Sequence, residues 1–191
     1  MSAAPSKADL VRDAALALMA ERGFHGTAMP DVARAAGVGV GTIYRHFRTK
    51  EEMANAVYRR CKEGFAEAVF SAGLPEGDRQ AQFHGLWRRM ADFARREPAA
   101  FRFLELHHHA DYLDDASRAA SDNVMAPAVA FLAQAAREGV VRPLPPPLLI
   151  AVVWGALVGL VKAGWKGDFA LDDHSIALAA GCAWAAIAER P

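Results

Sequence analysis

Tyr44, Arg45, His46 and Lys50 form a short run of donors and cations around two apolar residues, Ile43 and Phe47. Side chains of these types grip nucleic-acid phosphates, and an arginine also bonds a guanine edge through two parallel N–H groups. Just upstream, Ala33, Gly37 and Ile43 have the spacing of two short helices joined by a tight turn. Ala33 is small where the helices cross, Gly37 takes a left-handed turn without a Cβ penalty, and Ile43 anchors the second helix. With Val38 and Phe47 also inward, the outward face is Val40, Gly41, Thr42, Tyr44, Arg45 and His46. That is the shape of a helix made to enter a DNA major groove.

The elements that must position this face read as helices throughout, with no convincing strand alternation. Ser6 and Asp9 resemble a capping box, Val11, Ala14, Ala15, Leu18 and Met19 follow on one face, and Gly23 is the expected stop. Thr27 is the expected N-cap of the second helix, with Pro30 in its first turn and Met29, Val32, Ala33 and Ala36 buried. Thr49 and Glu52 form a second capping box, opening a helix that runs to about Ser71. Residues 72–78, AGLPEGD, read as a loop and suggest a boundary. The expected organisation is a DNA-binding domain at 1–50, a connecting helix at about 50–71 and a second domain at 72–191. In that second domain Phe83, Leu86, Trp87, Met90, Phe93 and Ala94 mark an amphipathic helix. Pro98 opens another, with Phe101, Leu104 and His108 on one face. A longer helix from about Leu113 to Glu138 is expected to break or kink at Pro127. Two Ala- and Gly-rich helices, about 148–162 and 173–189, close the chain.

The formal net charge is zero over 191 residues, which taken alone argues against a nucleic-acid binder. Its distribution reverses that: residues 1–62 hold ten Lys/Arg against six Asp/Glu, and the remainder holds twelve against sixteen. A basic head on an acidic body suits a protein that touches phosphate with one end only. Cys61 and Cys182 have no metal or disulfide spacing and read as packing residues of a reducing compartment. The N-terminal MSAAPSKADL lacks the apolar segment of a signal peptide, and the apolar run Leu148 to Val161 is shorter than a bilayer span. The expected location is the cytoplasm, with no membrane partner.

The chain resembles the TetR family of one-component transcriptional regulators. The match rests on Ala14-Ala15, Gly23-Phe24, Thr27, Val32-Ala33, Ala36-Gly37-Val38, Gly41 to Phe47, and Lys50. The resemblance implies an all-α fold of about nine helices: a three-helix helix-turn-helix domain followed by a helical ligand-binding and dimerisation domain. It implies that Thr27, Tyr44, His46 and Lys50 hold phosphates, while Thr42 and Arg45 meet base edges and Val40 offers a thymine methyl a contact. Gly39 stands where the family commonly has a capping Ser or Thr, a change that costs a few tenths of a kcal/mol because Gly is itself an acceptable N-cap. One head reads few base pairs, so a homodimer through the last two helices, over a palindromic double-stranded site, is implied. Effector binding is then expected to shift the helix at 99–109, tilt the connecting helix and change the spacing of the heads.

Trp87, Met90, Phe101, Leu104, His107, His108, Tyr112, Phe131 and Trp154 are the expected lining of a small-molecule effector site. Each alone reads as core packing. Together they imply a mainly apolar or aromatic ligand with a polar anchor from the histidines or Arg102. Consecutive helical residues diverge, so His107, His108 and His109 do not chelate one ion together. A metal-responsive regulator would need His108 with Asp111 or Glu105, and no metal or cofactor is assigned. The run Gly37-Val38-Gly39-Val40-Gly41 lacks a preceding strand, so it is not read as a dinucleotide loop. No nucleophile signature is present, and no catalytic residue is assigned. The reading is a ligand-responsive dimeric repressor; the alternatives are a ligand-binding or interaction module of the same fold without operator binding, a metal-responsive regulator using the His107–His109 region, or an enzyme using the body cavity.

Overall fold

The computed structural model describes residues 6–189, and among these nine helices follow one another. They are α1 (Lys7–Arg22), α2 (Met29–Ala35), α3 (Val40–His46), α4 (Lys50–Phe70), α5 (Arg79–Arg96), α6 (Pro98–Leu106), α7 (Asp115–Arg137), α8 (Pro146–Lys166) and α9 (Asp173–Ile187). The all-helical expectation holds. An antiparallel bridge between Val141 and Ala188 is the one β pairing among the described residues.

The helices group into two compact units. One holds the described residues up to Gly64 together with Glu97–Ser121; the other holds Phe65–Arg96 and the described residues from Asp122 onward. In the first unit α1 packs on α2, α3 and, most extensively, α6. Val11, Ala15 and Met19, one turn apart on α1, are completely buried there with Val32, Ile43, Met53 and Phe103. In the second unit α5, α8 and α9 pack against one another around Trp87, Leu149, Leu157 and Ile187.

Local chemistry explains most helix ends. The Ser6–Asp9 box is present in both directions: the Asp9 N–H donates to Ser6 Oγ and the Ser6 N–H to the Asp9 carboxylate. Hydrogen bonds from the Ser6 hydroxyl, then from Arg12, hold the Asp9 carboxyl down to about 2. That box therefore persists above the ordinary carboxylate range and is lost as the pH falls toward that value. Thr49 Oγ1 accepts the Glu52 N–H at 3.1 Å, while Glu52 returns its carboxylate to the N–H of Arg48, one residue before the expected partner. The second helix differs from expectation. Its N-cap is Ala28, without a side-chain bond, because the Thr27 hydroxyl donates backward to the Gly23 carbonyl at 2.8 Å.

Three further expectations are corrected. α7 continues through Pro127, so the interruption expected there does not occur. The amide that proline lacks would have bonded the Asn123 carbonyl, and both residues are exposed, so that carbonyl is open to solvent. α6 stops at Leu106, with His107 as its extended C-cap, so His108 lies in the following loop rather than on the helix face. α8 is longer than the apolar run suggested, because Pro146 opens it at the first turn and Gly167, left-handed at φ 88°, ends it. At 21 residues it is long enough to span a bilayer, yet Leu149, Val153, Leu157 and Val161 bury one face of it within the protein.

Gly37 turns the chain between α2 and α3 at φ 65°, and nothing lies within 4 Å of where a Cβ would sit. The burden of a side chain there is conformational and not steric. Gly37→Ala is expected to lower stability by about 1–2 kcal/mol, read as a lower urea midpoint at unchanged m.

Candidate nucleic-acid interface

α3 is built to show one side. Gly39 caps it in extended conformation and its carbonyl accepts the Thr42 N–H at 2.8 Å. Ile43 is completely buried and Phe47, 5% exposed, ends the helix beneath it. At about 100° per residue, Gly41, Tyr44 and Arg45 share the arc pointing away from Ile43, with Val40 at its margin in the first turn. All four are exposed. Thr42 and His46 flank this arc, Thr42 half-buried and His46 exposed. The result is a short ridge with an apolar tip at Val40, a phenol at Tyr44 and a guanidinium at Arg45, suited to groove edges and phosphates.

Two predicted phosphate contacts sit differently. Thr27 is 2% exposed and its hydroxyl is engaged by Gly23, so its side chain is withdrawn from the surface. Lys50 is half-buried at the start of α4; its Nζ donates to the Phe24 carbonyl at 3.0 Å and lies 4.2 Å above the Phe24 ring. Arg48, exposed in the turn between α3 and α4, adds a cation outside the predicted set. Its signal was the basic run Arg48-Thr49-Lys50.

The histidine run is divided among separate tasks. His107 Nε2 bonds the Ala20 carbonyl at 3.0 Å in the last turn of α1, and His108 is exposed. His109 Nε2 donates to the Phe103 carbonyl at 2.7 Å, which leaves Nδ1 to accept the Tyr112 hydroxyl. Burial disfavours the imidazolium and moves the His109 pKa below its usual value. Among the described residues no three His, Cys, Asp or Glu side chains are grouped to hold a metal. Burial likewise pushes the Cys61 thiol up to about 12, which fits packing; Cys182, expected to pack as well, is exposed on α9.

The predicted ligand residues fall into both units. In the first, Phe101 is buried, Leu104 is half-buried, and Tyr112 stacks on Phe24 with ring centroids 4.2 Å apart. In the second, Met90 is half-buried, Phe131 lies under the Arg79 guanidinium, and Trp154 meets Phe65 edge-on at 5.4 Å. Trp87 lines a cleft of about 290 Å³ between α5 and α9, with His84, Arg88, Asp173, Ile176 and Ala180.

The family model for bacterial regulatory proteins, tetR family, matches residues 11–57, and that for the tetracyclin repressor-like C-terminal domain matches residues 58–189. The HTH-type transcriptional repressor KstR2 of Mycobacterium tuberculosis is 37% identical over 110 residues, covering 56% of this chain and 50% of that protein. The chain thus spans about half the length of the curated relatives it matches first. A TetR family transcription regulator from Marinobacter aquaeolei VT8 superposes with a TM-score of 0.85 at 26% identity, covering 96% of each chain. A regulator of the same family from Shewanella sp. PV-4 shares the fold at a TM-score of 0.85 and 23% identity, covering 97% of this chain and all of that one. These likenesses are to regulators of transcription and not to enzymes. With an exposed recognition ridge on a buried helix-turn-helix, and with both family models matched from residue 11 to residue 189, the chain belongs to the TetR family of helix-turn-helix transcriptional regulators.

Proposed function

We propose that this regulator is a cytoplasmic, ligand-responsive homodimeric repressor that grips a palindromic operator through α3. The observation that carries the reading is the arc Gly41, Tyr44 and Arg45, with Val40 at its margin, exposed on a helix whose other side is fixed by buried Ile43. Arg45 reads a base edge, aided by Val40, Gly41 and Thr42, while Tyr44, His46 and Lys50 hold phosphates. Thr27 supports this surface from below through its bond to Gly23. The name of KstR2 as a repressor supports the same sign of regulation here.

Dimerisation rests on surface chemistry. On α8, Leu148, Val152, Gly155, Ala156 and Gly159 are exposed along one side; on α9, Ala177, Leu178, Cys182 and Ala185 are exposed. An apolar face of this extent calls for a cover, and a second copy supplies one of matching chemistry. The effector is read as a small, mainly apolar or aromatic molecule. The clustering of Trp87 with Ile176 and Ala180 at the α5–α9 cleft, beside the Arg88 guanidinium, supports that class.

Selection from random duplexes should return two half-sites with centres about 34–36 Å apart. Leu178→Asp, which sets like charges against each other across a two-fold axis, is expected to give a monomer by sedimentation and to weaken binding to the selected duplex at least a hundredfold. A Leu178→Asp protein that stays dimeric places the interface elsewhere. Failure of the wild type to enrich any duplex would leave an interaction module of the same fold.

A further inference from the structure

The segment between α6 and α7 reaches the DNA-binding end of the first unit through one ring. Tyr112 stacks on Phe24 at 4.2 Å between centroids and 20° between planes. Phe24 also lies under the Lys50 ammonium, 4.2 Å from its ring centroid, and its carbonyl accepts a Lys50 N–H at 3.0 Å. A stacked ring and an ammonium at that range need the two faces of the phenyl group. Phe24 is therefore sandwiched, with Tyr112 on one side and the cation on the other.

Tyr112 is in turn held at its carbonyl and at its hydroxyl. Its carbonyl accepts from buried Asn55 of α4 at 2.8 Å, and Asn55 Oδ1 accepts the Asp114 N–H at 2.9 Å. Its hydroxyl donates to His109, whose other nitrogen is tied to Phe103 of α6. Arg59 of α4 bonds Asp114 and Ser117, closing the segment onto the helix that Lys50 begins. A lysine side chain is flexible and loses rotamer freedom when fixed. Here the ammonium is placed before any DNA arrives, and of its three N–H groups one is held by Phe24.

We propose that Tyr112 is a positioning residue for DNA binding: through Phe24 it presents Lys50 to an operator phosphate, so that the α6–α7 segment sets operator affinity without touching DNA. This rests on the operator-binding reading above. It goes beyond that reading by naming the residues through which a change at α6 alters the grip.

The test is the salt dependence of binding to the selected duplex, by fluorescence anisotropy. Log affinity falls against log salt with a slope of about 0.9 per neutralised phosphate, so a dimer losing both Lys50 contacts loses about two from the slope. Lys50→Met is expected to show that loss with roughly tenfold weaker binding at moderate salt. Tyr112→Leu, which keeps apolar volume but removes the stack, is expected to shift slope and affinity in the same direction, and Tyr112→Phe is expected to restore them. In a Lys50→Met background, Tyr112→Leu should have little further effect. Weakened binding by Tyr112→Leu at an unchanged slope, or additive losses in the double variant, would overturn the coupling and leave operator binding in place. An unchanged slope in Lys50→Met, with the wild type still bound, would likewise overturn it. Loss of all binding by the wild type would instead strike the operator reading itself.

Discussion

Arg45→Ala should remove most of the operator affinity while leaving the fold untouched. Arg45 is exposed in the last turn of α3, and alanine is the best helix former, so nothing in the core is asked to rearrange. Its guanidinium is the one group of the outward arc able to make two parallel hydrogen bonds to a guanine, a contact worth about 1–3 kcal/mol. In the proposed dimer both heads would carry that contact, so the expected loss is about 2–6 kcal/mol, or roughly 30-fold to more than 10⁴-fold. Anisotropy titration of the selected duplex measures it, and thermal melting checks the fold. Relaxed preference at one base pair of each half-site should accompany it. A uniform loss across all sequences would make Arg45 a phosphate contact and not a base reader.

Trp87→Ala carries the largest expected effect on stability. Trp87 is completely buried on α5, and its indole N–H donates across to the Ile176 carbonyl of α9 at 3.1 Å. Phe83 lies 6.1 Å away between ring centroids and itself meets Trp184 of α9. Deleting the indole empties the seam between α5 and α9 and strands a donor-shaped gap at Ile176. Buried Trp→Ala changes cost about 3–5 kcal/mol, a large share of the 5–15 kcal/mol that ordinary domains possess. Urea unfolding should show this loss, with Trp87→Phe falling between it and the wild type. A loss below about 1 kcal/mol would mean that α5 and α9 close over the space.

The recognition ridge was legible because its determinants are local. Gly37 needs a positive φ, Ile43 and Phe47 need to be inside, and a helical step of about 100° then puts Tyr44 and Arg45 outside. The Ser6–Asp9 box was legible for the same reason: both partners sit within one turn. Thr27 was misread as a cap because its residue type fits that role, whereas a carbonyl four residues back, at Gly23, outcompetes the helix for its hydroxyl. The separate tasks of the three histidines were less legible. His107, His108 and His109 take three fates according to where α6 stops and what α1 and Phe103 present, and the α1 carbonyl lies far from them in the chain. Lys50 could be named from its position, but not the Phe24 platform beneath it, which depends on Tyr112 returning from far along the sequence.

Gly155 and Gly159 lie mid-helix in α8, are exposed, and have nothing within 4 Å of where a Cβ would stand. Each forgoes about 1 kcal/mol of helix propensity relative to alanine, a sacrifice that one isolated chain has no reason to make. Selection for thermal tolerance acting on single chains would therefore erase these glycines first, and, with α8 in the proposed dimer interface, the more robust protein that resulted would be a poorer partner to itself. Laboratory evolution of this regulator for heat resistance alone should drift toward that outcome, and the two positions would record it.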